Sequence, residues 1–372
     1  MRNLIFAVVC GLVSVSCKDK TEESASPTAS ASASAPASAS VAASASASAK
    51  PPEPPFEEVL KTSKPLQIKT QEHVAGPIKV KAETCTLSDG NPVAPQGMGV
   101  FRAVRAFGDH MLIVTRTNTI KAYKAEKGAT CKLTLDEKVG EAGSIKSDLK
   151  FEKLSGDDQG HLVASSGVFG AVRYKKDFTV DYKCTPRPGG YMVVHPSGKY
   201  AFGHFVNGAV AKIDFDATSC KSTEVDFINP AKNAGPFKMI DAMAFFGDLL
   251  LVGGSAGDTK QVFAFDKAGK EKFHFGSTSK TGASDDAFGW IHAITPCKPG
   301  ICVLDSNYRR ISVWDKEGKK HLTNVPLKDV LGLNYAWIPD MYVAKDATYL
   351  LADQVREDGK VYEGLVYRLS GL

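Results

Sequence analysis

The chain has 372 residues, of which 46 are Lys or Arg and 41 are Asp or Glu, giving a formal net charge of +5. The positive charges are spread along the sequence without a basic stripe interleaved with aromatic residues, so nucleic acid is not expected as a partner. A nucleophile elbow, an H-E-x-x-H motif, a phosphate-binding loop and a dinucleotide Gly motif are all absent from the sequence, so no catalytic residue is assigned.

The first 17 residues are typical of an export signal. One positive charge is followed by an apolar run from Leu4 to Val15, which is too short to span a bilayer, and then by Ser16 and Cys17. This ending resembles the bacterial lipoprotein signal, in which the Cys thiol is acylated and becomes the mature N-terminus. The resemblance implies a membrane partner held through lipid on Cys17. An ordinary secretory signal cut near Cys17 is the alternative.

A low-complexity segment follows. Ser and Ala alternate from about Ser24 to Ala49, and prolines cluster between residues 51 and 55. Such a segment cannot offset its ordering entropy, so it predicts a solvated tether rather than the competing Ala-rich helix. In the lipoprotein resemblance, Lys18 and Asp19 after the cysteine favour the outer membrane. The predicted organisation is a signal peptide over 1–16, a lipidated tether over 17–55 and one folded domain over 56–372.

From residue 98 onwards one pattern occurs six times. Each copy has an apolar strand, a Gly/Asp turn, a second strand ending in a small or polar residue, a short loop, a third strand and usually a more polar fourth strand. The second strands end about 40 to 50 residues apart, at Thr115, Ser165, His204, Gly253, Asp305 and Asp353. This period predicts an all-β fold, a six-bladed β-propeller. The first strands are predicted at Phe101–Phe107, Phe151–Leu154, Tyr191–His195, Ile240–Phe246, Ile291–Pro296 and Met341–Lys345.

The sixth copy contains only three strands before Leu372. Pro77–Thr84 is an upstream strand with no other partner, and it is predicted to supply the outer strand of blade six and so close the ring. Residues 56–76 are too few and too polar for a seventh blade.

Two copies resemble known repeats. Residues 195–216, HPSGKYAFGHFVNGAVAKIDFD, resemble the YVTN propeller family, and residues 305–319, DSNYRRISVWDKEGK, resemble the NHL repeat. Both resemblances imply the propeller fold and leave the function open.

Six cysteines follow Cys10 and Cys17, an even number that implies three disulfides in an exported domain. Cys297 and Cys302 flank a short Lys-Pro-Gly-Ile turn, which suits a cross-link within one hairpin. Cys85 and Cys184 each end a fourth strand, and Cys131 and Cys220 each begin the fourth strand of the next blade, so the same relation occurs twice. Sequence alone permits fifteen connectivities. The predicted pairs are Cys85–Cys131, Cys184–Cys220 and Cys297–Cys302.

Aligning the first strands places six side chains at the channel mouth: Arg102, Glu152, Tyr191, Asp241, His292 and Asp340. They predict either a ligand site or the ordinary polar lining of a water-filled channel. Glu152, His292 and Asp340 are suitable metal donors and form an alternative metal site. The fixed charge of Arg102 would repel a divalent cation, so neither a metal nor a cofactor is predicted.

The long loops leading into the first strands, such as Lys328–Trp337, are predicted to build the ligand surface. Aromatic residues on this face either stack on a ligand or wedge between blades; they are Trp290, Trp337, Tyr335 and Tyr308. His195 is predicted to be a structural turn residue, whereas His204 and Asp305 are predicted to line the channel.

Together these features predict a lipid-anchored, non-catalytic scaffold of the cell envelope that binds a protein or glycan partner. The alternative is a metal-dependent hydrolase, by analogy with six-bladed lactonases, whose ion acts as a Lewis acid. A quinone-dependent dehydrogenase ranks third.

Overall fold

The computed structural model describes residues 54–68, 71–126, 128, 130–167, 170–184, 191–205, 208–216, 219–278, 284–332, 335–344 and 347–372, with backbone only at 335 and 336. The predicted signal peptide, Cys17 and nearly all of the tether lie outside these residues. Among the described residues, no helix has the length and apolar character needed to cross a membrane.

Six antiparallel sheets succeed one another along the chain. The first strands of consecutive sheets pack side by side, and the first strand of the sixth sheet packs against that of the first. The sheets therefore form a closed ring, which is the six-bladed β-propeller that the repeat predicts. We call the side on which the first strands begin the mouth face.

The elements before the first blade are α1 (Phe56–Thr62), β1 (Gln71–Ala75), β2 (Ile78–Thr84), β3 (Thr86–Leu87) and β4 (Val93–Pro95). Blade one contains β5 (Phe101–Phe107), β6 (His110–Thr115), β7 (Thr119–Ala125), β8 (Lys132–Leu135) and the short β9 (Ser144–Lys146). Blade two contains β10 (Lys153–Gly156), β11 (Leu162–Ser166), β12 (Gly170–Tyr174) and β13 (Val180–Cys184). Blade three contains β14 (Tyr191–Val194), β15 (Tyr200–His204), β16 (Val210–Phe215) and β17 (Cys220–Glu224).

A 3₁₀ helix at Pro230–Lys232 leads to blade four, with β18 (Phe237–Phe246), β19 (Leu249–Ala256), β20 (Thr259–Phe265) and β21 (Glu271–Phe275). Blade five contains β22 (Ile291–Cys297), β23 (Gly300–Asp305), β24 (Arg310–Trp314) and β25 (His321–Pro326). After α2 (Leu327–Leu331), blade six contains β26 (Tyr335–Val343), β27 (Thr348–Val355) and β28 (Val361–Ser370).

The ring closes as predicted, because β2 pairs antiparallel with β28 from Lys81 opposite Ser370 to Thr84 opposite Tyr367. Along β2, Ile78, Val80 and Ala82 are buried while the intervening lysines are exposed, which is the alternation of a half-buried strand. The structure adds β1 as a further strand outside β2, so blade six is covered on its outer edge.

The N-terminal segment is attached to the mouth side of blade six through a buried ion pair. Arg356, in the turn after β27, contacts Glu363 at 2.8 Å (Nε to Oε2), and both side chains are buried. The Leu66 N–H donates to the same carboxylate at 3.0 Å, and the Arg356 guanidinium donates to the Ser63 carbonyl at 3.1 Å. This pair therefore holds the chain just before it enters the outer strands.

Three sequence predictions of where a first strand begins are wrong. The first strand of blade four begins at Phe237 instead of Ile240. The first strand of blade two begins at Lys153 instead of Phe151, whose fully buried ring packs in the core before the strand begins. The first strand of blade six begins at Tyr335 instead of Met341. Its pairing with the second strand is irregular between Tyr335 and Asp340, so the sequence there lacks the regular alternation of apolar and polar residues that would indicate a strand. The predicted loop Lys328–Trp337 contains part of α2, a helix that forms because its apolar residues are buried against the core.

The cysteines form the three predicted pairs, Cys85–Cys131, Cys184–Cys220 and Cys297–Cys302. The first pair joins the end of β2 in blade six to the start of the outer strand of blade one. The second pair makes the same connection between blades two and three. The third pair cross-links the first hairpin of blade five.

Candidate functional site

The first strands of all six blades line a central cavity of about 520 Å³. The six side chains of the predicted ring all line this cavity: Arg102, Glu152, Tyr191, Asp241, His292 and Asp340. Sequence reasoning missed Lys153, Arg105, Arg116 and Met239, which also line it.

β-bulges turn several of these side chains inward. The pairing of the first and second strands skips Arg102 in blade one, Asp241 in blade four and His292 in blade five. A bulge leaves one residue without a partner across the ladder and re-aims its side chain. The strict alternation of a strand is thus broken where the charged residues of the mouth occur.

Three ion pairs hold the charged groups of the mouth. They are Arg102–Glu152 at 3.0 Å, Lys153–Asp340 at 3.1 Å, and Lys260–Asp241. The first pair joins blades one and two, and the second spans from blade two to blade six. Glu152 also accepts from the Gly167 N–H at 3.1 Å, so both of its oxygens have partners. Pairing of this kind keeps the side chains in one orientation before any ligand arrives.

Acidic and hydroxyl side chains also bond the inner strand edges of neighbouring blades. Asp340 accepts the Val104 N–H at 3.0 Å, and Asp353 accepts the Val100 N–H at 2.7 Å. Ser155 and Ser165 of blade two accept N–H groups from the first strand of blade three. Asp241 of blade four is bonded in the same way to the backbone of Ile291 in blade five. Side chains of blades six, two and four therefore accept hydrogen bonds from backbone N–H groups at the inner edges of blades one, three and five, respectively.

The two histidines of the cavity are held neutral. Burial, together with the smaller effect of the positive charge of Lys153, lowers the pKa of His204 to about 4. Burial and the same lysine lower the pKa of His292 to about 3, against an opposing hydrogen bond with the Pro339 carbonyl. The His204 ring lies against Tyr191, with 5.0 Å between ring centroids.

Large apolar side chains are exposed around the mouth. Trp290 is 50% exposed, Met239 48% and Trp337 36%, and all three line the cavity. The Trp337 ring meets His292 edge to face, with centroids 4.9 Å apart. The exposure of the indoles disagrees with the alternative that they wedge between blades. Tyr308 lies in a neighbouring depression between blades four and five, which also contains Lys260.

Asp305 does not line the channel, contrary to the sequence prediction, because it is fully buried under the rim of blade five. Its carboxylate accepts N–H groups from Gly289 at 2.9 Å and Trp290 at 3.1 Å, and from Asn307 and Tyr308 at 3.2 Å. One side chain therefore fixes both rim segments that carry Trp290 and Tyr308. His204, which occupies the same column of the repeat, does line the cavity.

The structure does not assemble the alternative metal set. Within the described ranges, no group of three or more His, Cys, Asp or Glu side chains is placed to hold an ion. Glu152 is engaged by Arg102, and Asp340 accepts from Lys153 with one oxygen and from Val104 with the other. His292 lies against Trp337 instead of either carboxylate.

His195 is a turn residue, as predicted, although it lies between a serine and an aspartate. Its Nδ1 contacts the Ser197 hydroxyl at 2.8 Å and also accepts the Ser197 N–H at 3.1 Å, while Nε2 contacts Asp248 at 3.2 Å. The ring stacks on Tyr200, and Asp248 is 91% exposed. These contacts stabilise the turn of blade three. His195, Ser197 and Asp248 do not line the cavity.

No protein-family model matches the chain, and no curated protein sequence is similar to it. Among solved structures, it is similar to the β-propeller domain of Cps50 (Swd1) from Myceliophteria thermophila, with 11% identity and a TM-score of 0.49. That match covers 75% of this chain and 99% of the other. The fold assignment rests on the six sheets themselves, which define a disulfide-linked six-bladed β-propeller with a charged, aromatic-rimmed cavity.

Proposed function

We propose that the protein is a non-catalytic binding scaffold of the bacterial cell envelope, which presents its mouth face to an envelope protein or glycan. The observation that carries this proposal is the exposure of Trp290 and Trp337 beside a cavity that contains the Arg102–Glu152 and Lys153–Asp340 ion pairs. Exposed aromatic side chains next to fixed polar groups are typical of binding sites.

The state of the polar groups supports binding over catalysis. A general base needs a pKa near the working pH and a free lone pair directed at the substrate. Glu152 and Asp340 are instead neutralised by cations and bonded to backbone N–H groups. The pKa of His292 lies near 3, too low for proton transfer at neutral pH.

We also propose that Cys17 carries lipid and that the Ser/Ala/Pro segment tethers the propeller to a membrane, the outer one being favoured. The support is the Ser16-Cys17 ending of the signal and the tether composition behind it. A lipid anchor with a solvated tether suits a domain that binds its partner near a membrane surface.

The binding role is tested by pull-down from envelope extracts with the full chain as bait. We expect the wild type to capture a component that a Trp290→Ala/Trp337→Ala double variant does not capture. Val180→Ser is the matched control, because Val180 is also 50% exposed but lies on the outer strand of blade two. Equal capture by the double variant would place binding elsewhere and refute the proposal.

A further inference from the structure

Among the residues that the structure describes, the cavity lining contains equal numbers of basic and acidic side chains. They are Arg102, Arg105, Arg116 and Lys153, and Glu152, Asp158, Asp241 and Asp340. Burial lowers the pKa values of the two cavity histidines to about 4 and about 3, so both are neutral at neutral pH. Since neither sign of charge predominates in this described lining, a neutral ligand suits it.

The inner edges of three first strands, in blades one, three and five, are not open to an extended peptide. Strand addition requires a row of unpaired backbone N–H and C=O groups. In blades one and three, N–H groups that face the channel are already bonded by side chains of the preceding blade. Asp241 occupies the corresponding position toward blade five. At these three blades a ligand must therefore bond to side chains instead of adding as a strand.

Those side chains offer flat apolar faces next to fixed donors. The indoles of Trp290 and Trp337 are partly exposed, and Arg102 and Lys153 line the same cavity. A guanidinium carries five N–H donors and an ammonium three. Each of these cations keeps donors beyond the single ion pair that orients it.

We propose that the cavity binds a neutral saccharide, with a pyranose ring stacked on the Trp337 or Trp290 indole and its hydroxyls bonded to the Arg102–Glu152 and Lys153–Asp340 pairs. This inference rests on the proposed binding function of the mouth face. A pyranose has an apolar C–H face for the indole, and each hydroxyl both donates and accepts, so it bonds the cation and the carboxylate of one pair together. The cavity volume of about 520 Å³ is within the range of small-ligand sites.

Intrinsic fluorescence reports binding directly, because two of the three tryptophans are at the rim and the third, Trp314, is buried. The full chain is titrated with cellotetraose, maltotetraose and chitotetraose, with a galacturonic acid tetramer as the charged comparison and an uncharged hexapeptide as the peptide comparison. We expect saturable quenching by at least one neutral saccharide, and weaker or no binding of the charged tetramer and the hexapeptide.

Variants connect the signal to the site. At least one of the single variants Trp337→Ala and Trp290→Ala is expected to weaken saccharide affinity by about tenfold or more. Phe at the same position is expected to retain part of the affinity, and Val180→Ser to leave it unchanged. Circular dichroism verifies that each variant is folded. The saccharide proposal is overturned if no neutral saccharide binds at millimolar concentration, or if the hexapeptide or the charged tetramer binds more tightly. If the saccharides fail while Trp-dependent capture from envelope extracts persists, the binding function stands and only the ligand class is wrong.

Discussion

Acidification is expected to destabilise the propeller through its buried neutral histidines, and His204 is the clearest case. Its side chain is buried inside the ring, and burial beside Lys153 lowers its folded-state pKa to about 4. In the unfolded chain its pKa returns to about 6.5. The unfolded state therefore binds the proton more tightly, and stability falls as the pH drops from above 6.5 towards 4.

The size of the effect follows from the two pKa values. Between pH 7 and pH 5, a group with these values lowers the free energy of unfolding by about 2 kcal/mol. His292, with a folded pKa of about 3, contributes a similar loss. Asp353 acts in the opposite direction, because burial raises its folded pKa to about 6, so protonation there recovers about 1 kcal/mol over the same interval. The expected net loss from the three groups is about 3 kcal/mol.

Urea denaturation at pH 7 and pH 5 measures this loss. His204→Gln removes the titrating group and is expected to reduce the pH-dependent loss by about 2 kcal/mol. His73→Gln is the control, since His73 lies on the outermost strand β1 and is not enclosed by the ring. Two outcomes would refute the reasoning: equal wild-type stability at both pH values, or a His204→Gln variant with the same pH dependence as the wild type.

Three further perturbations test other parts of the chain. Cys17→Ala is expected to release the protein from the membrane pellet into the soluble periplasmic fraction and to abolish palmitate labelling. Cys85→Ser opens a bridge spanning 46 residues and should cost about 4 kcal/mol in urea unfolding, whereas Cys297→Ser opens one spanning 5 and should cost about 2; equal losses would contradict the loop-entropy reasoning. Glu363→Gln leaves a buried guanidinium without its partner, so a loss of about 3–5 kcal/mol and faster proteolysis of residues 56–66 are expected. Glu357→Gln, an exposed neighbour, should change neither property.

Much of the fold could be predicted because the same pattern of strands and turns occurs six times in the sequence. A single copy of apolar strand, turn and strand is ambiguous, but the recurring column fixes the number of blades and the position of each second strand. The sequence predicts a strand over Pro77–Thr84 that has no partner except in blade six, and the structure confirms it as Ile78–Thr84 with alternating buried and exposed residues. The cysteine pairs follow from the same registration between blades.

The details of the mouth could not be predicted from alternation, because bulges break it there. Asp241 fits the aligned column only after a shift of one residue, and the structure places it in a bulge that explains the shift. Lys153 was missed because β10 is short and the residue before it, Glu152, also lines the cavity. Asp305 was assigned to the channel because its column points inward, whereas its carboxylate bonds the backbone N–H groups of the rim.

Four acidic residues of this ring accept hydrogen bonds from its backbone. Asp305 and Asp353 are buried acceptors of backbone N–H groups, and Asp340 and Glu152 combine that task with an ion pair. Each carboxylate thus stabilises the contact between strands or blades. Removing one is expected to lower the stability of the propeller. Among the described residues, the groups of the mouth that can meet a ligand include the spare N–H donors of the cations, the remaining lone pairs of their carboxylates and the exposed indole faces. Such a set can orient and stack a ligand, which agrees with the recognition role proposed for the mouth of the propeller.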